Sequence, residues 1–102
     1  MPDRDLARVH LRELWTEHLA SSFPPSARGK EVGSIDLVLL DADVAGYVDS
    51  AVREGNTHPA IDPEAVASLA VDLDVVLLTL TGDSADYFQA VRRMCHALRE
   101  VL

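Results

Sequence analysis

"DLVLLDADVAGYVDSA", residues 36–51, decides the fold. Its first half, an apolar run closed by Asp41, resembles a buried strand that delivers a carboxylate to the edge of a parallel sheet. A strand over 35–40, however, leaves the remainder of the stretch without a pattern. Taken as a helix from 35 to 54, Leu37, Leu40, Val44, Tyr47, Val48 and Ala51 fall within about 100° of one another on a wheel of 3.6 residues per turn. Asp36, Asp43, Ser50 and Glu54 gather on the opposite side, with Ser34 as the expected N-cap and Gly55-Asn56 as the C-terminal stop. The spacing predicts a core helix.

The same period recurs on both sides of that stretch. Asp62-Pro63-Glu64 places a capping acceptor before a proline at the first helical position and an acid near the positive end of the helix dipole. From there Val66, Leu69, Ala70, Leu73, Val76, Leu77 and Leu80 form a stripe about 120° wide, and Gly82 is the expected stop. Asp83 or Ser84 is the expected cap of a last helix with Tyr87, Val91, Met94, Leu98 and Val101 inward, and Phe88, Cys95 and Leu102 beside them. Near the N-terminus, Ala7, Leu11, Leu14, Trp15, His18 and Leu19 share a face. "SSFPPSARGKEVG", residues 21–33, reads as a connecting loop anchored on the core by Phe23. The expected fold is all-α, an antiparallel bundle of four helices over 3–20, 35–54, 63–81 and 83–102, in a single domain spanning 1–102. The alternative is an α/β domain with strands at 35–40 and 74–80.

A chain of 102 residues, 48% hydrophobic and 25% charged, has the composition of one globular domain. No apolar run approaches the roughly 20 residues that cross a bilayer. "MPDRDLARVH" lacks the apolar segment of a signal peptide, so the expected location is the cytoplasm. A single cysteine, Cys95, allows no intramolecular disulfide and agrees with that location. Arginine outnumbers lysine eight to one, the usage of a GC-rich bacterial genome.

The net charge of −8 is unevenly placed. Residues 34–86 carry eleven acids against Arg53 alone, whereas residues 87–102 carry Arg92, Arg93 and Arg99 against Glu100. An acidic middle repels phosphate backbones, so neither nucleic acid nor membrane is an expected partner. It complements the basic last segment instead, within one chain or between two.

"DLVLLDAD" (36–43) followed by "DVVLLTLTGDS" (74–84) resembles a response-regulator receiver domain, which implies Asp41 as phospho-acceptor and Thr79 or Thr81 as the hydroxyl residue of a later strand. That chemistry also needs an upstream acidic pair for Mg²⁺ and a lysine downstream of the hydroxyl residue. The one lysine, Lys30, precedes both motifs, and the upstream segment reads as a helix and a proline loop. "IDLVLLDADVAGYV" (35–48), with "DLDVVLLTL" (72–80) and a tyrosine-bearing last helix, is similar to small uncharacterised helical proteins of actinobacteria over about residues 28–102. That resemblance implies a helical fold and assigns no site.

No complete catalytic constellation is present, so an enzyme is not the leading expectation. His10, His18, His58 and His96 include no i, i+4 pair, and no Glu-x-x-His occurs. His18 reads as a rim histidine and His58, before Pro59, as a turn residue. Cys95 reads as a small hydrophobe despite nearby Arg92 and Arg99. Asp41 and Asp49, on the shoulders of the apolar stripe, are expected to pair with Arg92, Arg93 or Arg99 across a helix interface. Gly46, costly in mid-helix, is expected to mark the close approach of another helix. No cofactor or metal is implied.

The segment 63–81 exceeds what a core helix needs. Ala67, Val71, Val75 and Leu78 form a second apolar strip opposite the first. With four helices available, a second copy of the chain is the economical cover. The expected function is therefore a non-enzymatic interaction or regulatory module, helical and homodimeric, with a further protein partner as the other possibility. The alternatives are a bundle that binds a small molecule near Trp15, Tyr47 and Tyr87, and a receiver-like phospho-acceptor domain centred on Asp41.

Overall fold

Among the described residues, leucine and valine spaced at helical intervals condense into four α-helices: α1 (Pro2–Ala20), α2 (Leu37–Glu54), α3 (Pro63–Leu77) and α4 (Gly82–Val101). The computed structural model describes residues 2–54 and 61–102. Among them, the β-structure is a two-stranded antiparallel ribbon of β1 (Glu31–Val32) and β2 (Ile35–Asp36). The chain is all-α, and the parallel sheet of the α/β alternative is absent from the described residues. Asp41 lies in the second turn of α2 rather than at a strand end, which removes the geometry of a receiver domain.

α4 is the central element, packing against α1, α2 and α3. α1 and α3 each also contact α2 but hardly meet one another, so α2 and α4 form the short diagonal of the bundle. Contacts fix the directions. His18 near the end of α1 meets Asp41 near the start of α2, and Cys95 of α4 meets Val66 of α3 while Arg92 meets Asp74. Consecutive helices therefore run antiparallel, and α2 and α4 run in the same direction.

The core is one cluster, with Leu37, Val44, Val48, Val66, Leu73, Val76, Phe88, Val91, Met94, Cys95, Leu98 and Val101 almost wholly enclosed. Full burial of such a Val, Leu, Phe or Met side chain contributes roughly 1.5–3 kcal/mol, offset by the entropy of ordering the chain. Phe23 anchors the loop after α1, meeting the rings of Tyr87 and Phe88 edge-on at 5.3 and 6.1 Å. Behind it a short 3₁₀ turn, Pro25–Ala27, buries Ala27, and the Ser26 and Ser84 hydroxyls share a hydrogen bond of 2.7 Å.

Several expectations need correction. α2 begins at Leu37, because Ile35 and Asp36 pair with Val32 and Glu31 across a two-residue turn. Gly33 opens that turn at φ +61°, a conformation glycine adopts without strain and the first central position of a type II′ hairpin requires. The cap of α2 is Asp36, whose Oδ1 accepts the Leu39 N–H at 3.1 Å; Ser34 lies in the turn. α3 keeps its expected start, with Asp62 Oδ1 accepting the Glu64 N–H at 2.9 Å, but ends at Leu77. Gly82 opens α4 with Thr81 at the N-cap, and Ser84 is buried against Ser26 instead of capping. Leu19, placed on the inner face of α1 by its spacing, is exposed. The expected stop at Gly55-Asn56 and His58 lie outside the described residues.

Candidate functional site

Two places on the bundle depart from a plain folded helix packing. The first is the outer face of α3. This helix needs only the Val66, Ala70, Leu73 and Val76 side for the core, and these four are buried. Its opposite side carries Val71, 60% exposed, Val75, 42% exposed, and Leu78, 83% exposed, with Ala67 half-buried one turn before them. Spacings of four, four and three residues align all four along one line of the helix. No charged residue interrupts that line between Ala67 and Leu78. Apolar residues scattered singly over a surface are ordinary, and it is the alignment of these four that sets the face apart.

Other exposed apolar side chains escaped the periodicity. Leu6, Val9 and Leu19 lie on the outside of α1, and Val38 and Leu39 at the start of α2. Those on α1 are interrupted by Arg12, Glu13, Thr16 and Glu17, all exposed, so they do not form a comparable row.

Charge differs between the two flanks of the α3 row. On the α2 flank, Asp36, Asp43 and Asp72 surround a shallow cleft with Leu39 and Leu69. On the α4 flank, Arg92 Nε contacts Asp74 Oδ1 at 2.6 Å, and Arg99 projects two turns further along the same side of α4. α3 itself carries Glu64, Asp72 and Asp74 and no basic residue.

The second place is a polar cluster where α1, α2 and α4 meet. Tyr87 donates its hydroxyl proton to Asp41 Oδ2 at 2.9 Å. His18 Nε2 lies 3.2 Å from Asp41 Oδ1, without the alignment of a hydrogen bond, and that oxygen is buried with no donor of its own. Trp15 stacks on the His18 ring at 5.8 Å, and the ring of Tyr87 lies tilted against it at 5.5 Å. Burial first, then the hydrogen bond to Asp41 and its charge, push the Tyr87 phenol far above its ordinary range. Outside the cluster, His18, Phe23, Tyr87, Asp83 and Asp86 line an open cleft of about 430 Å³.

The expected ion pairs fall differently. Asp41 meets His18 and Tyr87 instead of an arginine. Asp49 pairs with Arg53 one turn along α2, at 2.9 Å and exposed to solvent. Arg92 takes Asp74 of α3, and among the described residues no carboxylate lies within ion-pair distance of Arg93 or Arg99. The shoulder position of Asp41 points to α1 as well as α4, and spacing within α2 does not distinguish a histidine partner from an arginine one. Gly46 is not a packing notch. An added Cβ meets nothing within 4 Å, because the residue faces an open groove of about 590 Å³ between α2 and α3.

Cys95 is fully enclosed, its Sγ 3.7 Å from the Val66 carbonyl. Burial pushes its thiol up to about 11, which Arg99 partly offsets and Asp74 reinforces. It is a core residue, not a nucleophile. Among the described residues no three His, Cys, Asp or Glu side chains are grouped as metal ligands, and no helix is long and apolar enough to cross a membrane. Compared with known protein families, with curated proteins and with solved structures, the chain matches none.

Proposed function

We propose that this protein is a non-enzymatic interaction module that works through the outer face of α3, and that its partner on that face is a second copy of itself. The observation that carries this reading is the row of half-buried Ala67 and exposed Val71, Val75 and Leu78 on a helix whose other side already fills the core. Withdrawing such side chains from water stabilises a complex by roughly 25 cal/mol per Å² of apolar surface, before the costs of association. A closed two-fold dimer covers the row on both copies at once.

Sedimentation equilibrium between about 5 and 500 μM tests the reading. The wild-type chain is expected to approach twice the monomer mass, and the double variant Val71→Asp/Leu78→Asp to stay monomeric with unchanged helical circular dichroism. A wild-type chain that remains monomeric throughout refutes self-association.

A second reading rests on the cleft beside Tyr87. Its aromatic wall of Phe23 and Tyr87 and the carboxylates of Asp83 and Asp86 suit a small ligand with an apolar body and a cationic group. Thermal shift with a panel of aromatic amines tests it, and no shift at millimolar concentration sets it aside.

A further inference from the structure

The two flanks of the α3 row decide how two copies meet. α3 lies between α2 and α4, so its outer face has an acidic border on one side and, on the other, a border where Arg92 offsets Asp74 and Arg99 has no carboxylate within ion-pair distance among the described residues. A two-fold axis perpendicular to α3 and lying in the plane of contact makes the two α3 helices antiparallel. It then sets α2 opposite the partner's α2 and α4 opposite the partner's α4, so like charges face one another. A two-fold axis parallel to α3 makes the two α3 helices run in the same direction and sets α2 of each copy opposite α4 of the other.

We infer that the chain dimerises through α3 in the parallel two-fold arrangement, with the aspartate border of each copy facing the arginine border of its partner. This rests on the self-association proposed above and specifies its geometry. The levels along the helix agree. Asp43 shares one cleft with Asp72, and Arg92 reaches α3 at Asp74, two residues further on. A rotation about an axis parallel to α3 preserves height, so Arg92 of one copy stands level with Asp72 and Asp43 of the other. Asp36, Asp43 and Asp72 have no cation within ion-pair distance among the described residues, so they are available to it. Opposed borders of unlike charge also steer encounter and favour the parallel register over the antiparallel one, which sets the Asp36, Asp43 and Asp72 borders of the two copies against each other.

Disulfide trapping reads the geometry directly. In the parallel dimer every residue of the row lies beside its own copy, whereas in the antiparallel dimer Val71 and Leu78 lie beside each other only if the crossing is centred between them. Single variants Val71→Cys and Leu78→Cys of the full chain, oxidised mildly at dimer-forming concentration, are each expected to give a covalent homodimer on a non-reducing gel. Glu13→Cys on the exposed side of α1 supplies the background, which both variants are expected to exceed at least fivefold. Native Cys95 is buried and takes no part. Trapping at only one of the two positions, trapping only in a mixture of the two variants, or trapping no better than background in protein that sediments as a dimer each overturns the parallel arrangement and leaves self-association standing. Protein that sediments as a monomer overturns both.

Discussion

Tyr87 of α4 and Asp41 of α2, 46 residues apart in the chain, are joined by a 2.9 Å hydrogen bond that ties together the two helices of the bundle's short diagonal. The carboxylate is mostly enclosed, with 16% of its side-chain surface exposed, so water does not readily replace the phenol. Tyr87→Phe is expected to lower the unfolding free energy by about 1.5 kcal/mol, the scale for a hydrogen bond to a charged group at a partly buried site. Asp41→Asn combined with Tyr87→Phe is expected to cost less than the sum of the two, because they share one interaction. Urea titration of the four proteins measures both, and strict additivity contradicts the linkage.

The buried thiol predicts a response to alkali. Cys95 ionises near 9 when free and near 11 in the fold, so between those values the unfolded chain loses its proton first. The contribution is fully present below pH 9 and is lost as pH rises to about 11, amounting to on the order of 2 kcal/mol. The raised phenol of Tyr87 adds to the decline above pH 10. Unfolding midpoints measured from pH 8 to 11 should fall for the wild type and fall less steeply for Cys95→Ala.

Capping separates the two candidate starts of α2. Since Asp36 Oδ1 holds the Leu39 N–H, Asp36→Ala is expected to cost about 1 kcal/mol. Ser34 sits in the hairpin turn, so Ser34→Ala should change stability by less than about 0.5 kcal/mol. Thermal melts of the two variants decide it.

Gly46 offers a test with the opposite sign. Its helical backbone accepts a side chain and the added Cβ meets open space, so Gly46→Ala is expected to stabilise the protein by about 0.5–1 kcal/mol. A loss of stability in chemical denaturation means that another helix does close on this position.

The four helices are legible in the sequence because each announces itself twice, by an apolar stripe of period 3.6 and by a Pro, Gly or Ser boundary. What stays hidden depends on contacts between elements. Strands of two residues are too short to show alternation, so the 31–36 hairpin is absorbed into a loop and the first turn of α2. Leu19 keeps helical phase with Leu11 and Trp15, yet it is exposed, while His18 beside it takes the contacts with α2 and α4. The His18, Asp41 and Tyr87 cluster draws one residue from each of three helices, and no spacing within a helix names its partners. The outer row of α3 is legible for the converse reason, since it is a pattern within one helix that the other helices leave uncovered.

A dilution series of amide ¹H–¹⁵N spectra, from about 500 to 5 μM, locates the surface through which the chain self-associates. Concentration-dependent shifts or broadening are expected at Ala67, Val71, Val75 and Leu78 and along the facing borders of α2 and α4. Changes confined to Leu6, Val9 and Leu19 on α1, or spectra that do not change with concentration, contradict self-association through α3.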